Sequence, residues 1–114
     1  MNPIKVTMTA RPINAHTAAI DVKGDVNAQA ENVLMDAYTQ ATAGSVKNIV
    51  LNFTGLEFMN SSGIGLLVTL LIRANRQGDK LCAVGLSDHY RQIFELTRLN
   101  EAIKIYNSEA EAAM

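Results

Sequence analysis

The sequence predicts an α/β fold in which helices pack on a mixed sheet of four or five strands. Ile4–Ala10 and His16–Lys23 alternate apolar and polar residues on either side of a turn, a pattern typical of an antiparallel hairpin. After them, helical segments alternate with apolar, β-branched segments, which is typical of αβ units. Val46–Phe53 is an apolar run rich in β-branched residues, and we place it at the centre of the sheet.

Three helices are predicted from apolar residues at helical spacing and from their end signals. Ala28–Thr42 is the first, and Gly44 closes it as a C-cap. Ile64–Gln77 directly follows the central strand, and we expect these two helices on the same face of the sheet. Asp88–Thr97 is the third, with Ser87 as its N-cap.

The remaining segments are shorter. Lys80–Leu86 and Ala102–Tyr106 are predicted as strands, and the capping-box spacing of Ser108–Glu111 predicts the start of a last helix. Gly24–Asn27 is predicted to be a loop, and Thr54–Glu57 a short connection between the central strand and the helix that follows it.

Composition limits the classes of function. A chain of 114 residues with 48% hydrophobic and 18% charged residues fits one globular domain, residues 1–114. The net charge of −1 and the lack of a basic cluster argue against a nucleic-acid partner. No apolar run has the length of a membrane span, and the first residues lack a signal peptide's pattern, so we expect a cytoplasmic protein without a membrane partner. The single cysteine, Cys82, is expected in the strand core.

The most informative stretch is the polar segment Asn60-Ser61-Ser62-Gly63 between the central strand and the Ile64–Gln77 helix, which we call the elbow. Asn and Ser side chains cap helices by accepting hydrogen bonds from free backbone N–H groups. The elbow therefore places a serine hydroxyl at the positive end of a helix and at the carboxyl end of a strand. Ligands and partners of open α/β sheets bind at that edge.

The sequence gives little support for an enzyme active site or a metal site. The elbow is not Gly-x-Ser-x-Gly, and the only imidazole bases, His16 and His89, are expected on the surface. Gly63-Ile64-Gly65 lacks the third glycine of a dinucleotide fingerprint and the lysine of a phosphate loop. A lone cysteine without a suitable histidine pair makes no metal site. We expect no catalytic residue, no metal and no cofactor.

Two interpretations are open for Leu66 and Leu70. Helical spacing places five apolar residues on the sheet-facing side, namely Ile64, Leu67, Val68, Leu71 and Ile72. Leu66 and Leu70 then fall on the flank. They are either extra core under a neighbouring loop or an exposed apolar patch that suits a protein partner.

Modification of the elbow serine is the one chemistry that remains. A phosphoserine carries about −1.5 to −2 charges, and a helix N-terminus attracts such a group through its free N–H donors and dipole. The alternative is that Ser61 and Ser62 only cap the helix.

The segment Phe58–Gly65, preceded by Ile49–Phe53, resembles the signature of the STAS domain, in particular that of the bacterial anti-sigma factor antagonists. The resemblance extends over nearly the whole chain, since Val22–Val26 is similar to the second strand and acidic turn of that family. Leu86–Leu99 is similar to its third helix, and Ile103–Ile105 to its last strand.

The resemblance implies a partner-switching mechanism. An unmodified antagonist binds an anti-sigma factor, which is also a serine kinase of the histidine-kinase-like ATPase fold, and thereby frees the sigma factor. The kinase phosphorylates the serine that matches Ser61, and a PP2C-type phosphatase restores the active form. We predict a partner-binding surface that comprises Asp25, Asn60, Ser62, Gly63, Leu66 and Leu70, in which the two leucines are included because of their position on the helix.

The sequence departs from the family pattern at Asn60, where aspartate is usual, and so lacks a negative charge beside the target hydroxyl. Because STAS domains also serve in transporters, lipid-transport complexes and other signalling assemblies, a structural or adaptor subunit without phosphorylation is the alternative function. An enzyme is the third.

Overall fold

In the part of the chain that the structure describes, the sheet has five strands, which follow one another in space in their chain order. The computed structural model describes residues 6–114, so Ile4 and Lys5 of the predicted first strand lie outside the described residues. The first two strands are antiparallel, and all later neighbours are parallel, which confirms the mixed sheet. The strands are β1 (Val6–Pro12), β2 (Thr17–Val26), β3 (Asn48–Met59), β4 (Lys80–Val84) and β5 (Lys104–Ile105).

The helices lie where the sequence predicts them, with small differences at their ends. They are α1 (Glu31–Ala41), α2 (Ser61–Gln77), α3 (Asp88–Leu96) and α4 (Glu109–Ala112). Single 3-10 turns, Ala28–Ala30 and Leu99–Glu101, precede α1 and follow α3. The predicted caps Ser87 and Ser108 are confirmed, since each side chain accepts a hydrogen bond from the backbone N–H three residues later.

The main core lies between one face of the sheet and the helices α1, α2 and α3. Ile49, Leu51 and Phe53 of β3 point into it, because alternate residues of a strand face the same side. Val50 faces the opposite side with Cys82, under the short helix α4. These contacts confirm the central position of β3 and the shared face of α1 and α2. They also confirm Cys82 as core, and burial raises the pKa of its thiol to about 11.

The predicted loop Gly24–Asn27 and the predicted connection Thr54–Glu57 are both wrong in large part. β2 continues to Val26 and β3 to Met59, and the two strands stay paired to their ends through two register shifts. Gly24 accommodates the irregularity with a φ of 92°, a conformation that costs glycine little. Because β4 accompanies β3 only as far as Asn52, the last residues of β2 and β3 form a two-stranded ribbon beyond the sheet.

The C-terminal helix α4 is held to the sheet by charged groups. The Arg11 guanidinium donates to the carboxylates of Asp21, at 2.9 Å, and of Glu109. Asn52 Nδ2 also donates to Glu109, at 2.7 Å. These hydrogen bonds, that from Arg11 above all, hold the pKa of the Glu109 carboxyl below its usual range, and the bond from Arg11 does the same for Asp21.

A second polar cluster joins α1 to the end of α2. The buried Tyr38 hydroxyl of α1 donates to the carboxylate of Asp79, just after α2, and lies 3.1 Å from Gln77 Oε1. Lys47 Nζ is 3.5 Å from the same carboxylate. Burial, followed by the contact with Asp79, raises the pKa of Tyr38. The cluster thus fixes the C-terminal end of α2, while the elbow lies at its other end.

Candidate functional site

The elbow begins with the cap of α2, and the capping residue is Asn60. Its Oδ1 accepts a 2.9 Å hydrogen bond from the N–H of Gly63, and its backbone oxygen accepts one from Ile64. Ser61 is the first residue of the helix, so α2 begins three residues earlier than predicted. The interpretation that the serines cap the helix is therefore wrong.

Ser61 and Ser62 are both exposed on the first turn of α2. Within residues 6–114, neither hydroxyl makes a hydrogen bond to another protein group. The expectation that the elbow places a serine hydroxyl at the positive end of a helix is confirmed, and Ser61 directly follows the N-cap residue. The fold thus presents a free primary alcohol at the positive end of a 17-residue helix.

Two neighbouring elements hold the backbone that leads into the elbow. The N–H of Asn60 donates to Val26 O at 3.3 Å, on the β2 side. The N–H of Met59 donates to the Tyr90 hydroxyl of α3 at 2.8 Å. The elbow is therefore fixed from both sides of β3.

Asp25 reaches the same end of the sheet because β2 and β3 remain paired. It lies directly opposite Phe58 in the parallel ladder, and the next pair is Val26 with Met59, one residue before the elbow. Asp25 is half-buried, whereas Phe58 is 55% exposed. Asp25 therefore lies at the same end of the sheet as the elbow.

The two glycines of the elbow differ in their surroundings. A Cβ on Gly63 would overlap Val26 O and lie 2.7 Å from Met59 Cγ, so α2 approaches β2 too closely for any side chain there. A Cβ on Gly65 would meet nothing within 4 Å. Packing therefore requires Gly63, whereas Gly65 leaves open space one helical turn after Ser61.

The proposal that Leu66 and Leu70 form an exposed patch is wrong, and their interpretation as core is confirmed. Leu70 is 0% and Leu66 9% exposed. Because α2 packs closely against β2 at Gly63, the orientation of α2 about its own axis differs from the predicted one. Its buried face consists of Gly63, Leu66, Leu67, Leu70 and Ala74. Val68 and Ile72, which were predicted to face the sheet, lie at the surface with exposures of 42% and 50%.

Sequence reasoning missed the apolar residues that share the exposed side of α2 with Ser61. Ser61, Gly65, Val68 and Ile72 are spaced by four, three and four residues, so they follow one line along α2. The spacing of Val68 and Ile72 was visible in the sequence, but α2 is apolar on several sides. Which side faces solvent is decided by Gly63.

The chemistry available to the elbow is limited to what an unactivated hydroxyl can do. His16 and His89 are exposed, as expected, and neither hydrogen-bonds to Ser61. Within residues 6–114, no three His, Cys, Asp or Glu side chains come close enough together to hold a metal ion. In the same range, no helix has the length and apolar character needed to cross a membrane. A group transferred to Ser61 would need activation by a partner.

Comparison with protein families decides the identity of this fold. Residues 9–112 match the family model of the STAS domain. The chain belongs to the STAS domain family. An anti-sigma-B factor antagonist of Listeria monocytogenes serovar 1/2a (strain EGD-e) is 32% identical over 94 residues, which cover 81% of each chain. One of Staphylococcus aureus (strain NCTC 8325) is 26% identical over 75% of this chain and 80% of its own.

Solved structures of STAS domains share the fold. The anti-sigma factor antagonist SpoIIAA in its unphosphorylated form superposes with a TM-score of 0.72, at 22% identity and 92% coverage of both chains. The Bacillus SpoIIAA in its phosphorylated form gives a TM-score of 0.65 at 21% identity, covering 92% of this chain and 96% of that one. The resemblance to the anti-sigma factor antagonists is thereby confirmed.

Proposed function

We propose that this STAS domain is an anti-sigma factor antagonist whose partner binding is switched off by phosphorylation of Ser61. In this proposal the unmodified chain binds, in the cytoplasm, an anti-sigma factor that is also a serine kinase of the histidine-kinase-like ATPase fold. A PP2C-type phosphatase removes the phosphate. The observation that carries the proposal is that Ser61 is exposed at the first residue of α2 and takes no part in capping the helix.

The covalent step is a phosphoryl transfer from ATP held by the kinase. Ser61 Oγ attacks the γ-phosphorus, the new Oγ–P bond replaces the bond between that phosphorus and the β–γ bridging oxygen, and ADP leaves. The serine proton passes to a base on the kinase, because the elbow has no base of its own hydrogen-bonded to Ser61. The product is a phosphoserine that carries about −1.5 to −2 charges.

The local field explains why the modified protein stays folded. The phosphate would join the positive end of α2, where N–H groups of the first turn point outward. A partner that closes over the same dianion has to remove water from it, which costs binding free energy. Phosphorylation therefore acts by blocking an interface rather than by refolding the domain.

The surface around Ser61 has the character of a protein-docking site. Val68 and Ile72 continue the line of Ser61 along α2, Gly65 leaves room between them, and Phe58 is exposed at the end of β3. Val68, Ile72 and Phe58 replace the buried Leu66 and Leu70 in the proposed partner surface. Gly63 is also buried and leaves that surface, whereas Asp25, Asn60 and Ser62 remain in it. The kinase would contact this surface while its ATP faces Ser61.

The same surface also fits a second function, that of a structural or adaptor subunit that is never phosphorylated. The observation that favours it is Asn60, which caps α2 without the negative charge that the usual aspartate carries. In that case the surface binds its partner constitutively. Among the described residues, no base is hydrogen-bonded to Ser61 and no cluster of metal-ligating side chains lies at the elbow, and we propose no enzymatic role.

Affinity capture from the source cells, followed by mass spectrometry, tests the proposal. Wild type and Ser61→Ala should both capture a serine kinase, while Ser61→Asp should capture at least about tenfold less, a loss of about 1.4 kcal/mol. Asn75→Asp, which adds the same charge at the exposed far end of α2, is the matched control and should capture normally. With the captured kinase and ATP, Ser62→Ala should be phosphorylated and Ser61→Ala should not.

Two results would contradict the proposal. One is equal capture of the same partner by Ser61→Asp and wild type. The other is a captured partner that leaves Ser61 unmodified in the presence of ATP, which would favour the adaptor function.

A further inference from the structure

Among the residues that the structure describes, the buried hydroxyl of Tyr90 makes the only side-chain hydrogen bond from another element to the backbone just before the elbow. It accepts a 2.8 Å hydrogen bond from the N–H of Met59, two residues before Ser61. Tyr90 itself is 7% exposed. A side chain on α3 thus sets the position of the residue from which the elbow departs.

This contact replaces a missing strand neighbour. β3 pairs with β4 only over Asn48–Asn52, while on its other edge it pairs with β2 as far as Met59. The N–H of Asn60 points to the β2 side, where Val26 O accepts it. The N–H of Met59 belongs to the other edge, where β4 has already ended, and Tyr90 supplies the acceptor. A buried N–H without an acceptor is strongly disfavoured.

The position of the Tyr90 hydroxyl is itself fixed. One turn further along α3, Phe94 is fully buried and packs edge-to-face on Phe53 of β3, with ring centroids 6.3 Å apart. The Tyr90 ring also packs against His89, at 4.8 Å between centroids. Phe53 and Met59 lie on one strand, so α3 is joined to β3 at two points, which limits movement of the Tyr90 hydroxyl relative to Met59.

We infer that Tyr90 is a positioning residue for phosphoryl transfer to Ser61. Its hydroxyl holds Met59, and through Asn60 it holds the first turn of α2 in the place where the kinase meets the serine. Transfer depends on the alignment of the attacking oxygen with the γ-phosphorus, and a small displacement of the nucleophile lowers the rate steeply. The inference rests on the proposed function, but the hydrogen bond that carries it is independent of any partner.

Tyr90→Phe removes the hydroxyl and keeps the buried ring. Tyr38→Phe is the matched control, because Tyr38 is also buried and hydrogen-bonded but contacts the opposite end of α2. Both variants should have lower melting temperatures. With the captured kinase and ATP, Tyr90→Phe should lower kcat for Ser61 phosphorylation by about tenfold with little change in the KM for this protein. Tyr38→Phe should keep the wild-type kcat.

Amide hydrogen exchange supplies a readout that needs no kinase. Tyr90→Phe should accelerate exchange of the Asn60 and Gly63 amides, whose hydrogen bonds define the elbow, and Tyr38→Phe should not. If wild type is not phosphorylated by any captured kinase, the proposed function fails. The exchange data would still show whether the Tyr90 hydroxyl stabilises the backbone of the elbow. A wild-type kcat in Tyr90→Phe, or equal acceleration of exchange in both variants, would overturn the positioning role.

Discussion

Asn60 and Gly63 close the first turn of α2 through a 2.9 Å hydrogen bond from the Gly63 N–H to Asn60 Oδ1. The two serines between them are therefore not needed as caps, and both are exposed. A residue that the fold does not use can be modified without loss of structure. Under the proposed function, this division of roles between Asn60 and Ser61 leaves the serine hydroxyl available for phosphorylation.

The role of Asn60 predicts a clear order of stabilities. Asn60→Ala should lower the free energy of unfolding by about 1 kcal/mol, the usual value of an N-cap side chain. Asn60→Asp keeps a capping oxygen and should stay within a few tenths of a kcal/mol of wild type. Ser61→Ala should be neutral. Urea unfolding checks the series, and a Ser61→Ala protein as unstable as Asn60→Ala would show that the serine caps the helix after all.

The orientation of α2 predicts that alanine substitutions at Leu70 and Val68 change the stability by very different amounts. Leu70→Ala should cost about 2 to 5 kcal/mol, because it leaves a cavity in the core. Val68→Ala should cost less than about 1 kcal/mol, because the Val68 side chain is 42% exposed. Thermal unfolding measures both. A small loss of stability for Leu70→Ala together with a large loss for Val68→Ala would show that Val68, and not Leu70, faces the core.

Substitution by alanine should have opposite effects on stability at Gly63 and at Gly65. Gly63→Ala forces a methyl group against Val26 O and should cost about 1 to 3 kcal/mol. Gly65→Ala adds a methyl group in open space and should stabilise the helix by about 0.5 to 1 kcal/mol. Circular dichroism during denaturant unfolding gives both values, and destabilisation by Gly65→Ala would show that the helix needs this glycine for packing.

The cluster around Arg11 predicts how stability depends on pH. The folded-state pKa values of Asp21 and Glu109 lie below the ordinary values of 3.8 and 4.5. Each carboxylate therefore contributes stability that is present above its ordinary value and is lost as the pH falls through its folded value. Glu109→Gln should lower the free energy of unfolding at pH 7 and reduce its decline below about pH 4.5.

Urea unfolding between pH 7 and pH 3 measures this dependence. Glu101→Gln is the matched control, because Glu101 pairs with Arg98 on the surface, where both side chains are mostly exposed and an ion pair contributes little. It should leave the stability at pH 7 almost unchanged. An acid decline in Glu109→Gln as steep as in wild type would contradict the role of this carboxylate in holding α4.

Local patterns predicted most of the elements because the relevant signals lie within a few residues of each other. Ser87 and Ser108 each lie directly before a helix and cap it as expected. The run Val46–Phe53 was long and apolar enough to indicate a central strand. The ends of β2 and β3 could not be predicted, because Gly24 and Gly55 normally signal turns. Here the two strands pair along their whole length and use the glycines for bends and close contacts.

The sequence by itself determined that a serine lies at the junction of a strand and a helix, because capping residues and β-branched runs act locally. Only the tertiary structure decided which side of α2 faces solvent, since that depends on the contact between Gly63 and Val26, residues 37 positions apart. The same holds for the Tyr90 hydroxyl at Met59, where α3 and β3 meet only after both have packed. Contacts between distant residues arise from the packing of whole elements, and no local pattern encodes them.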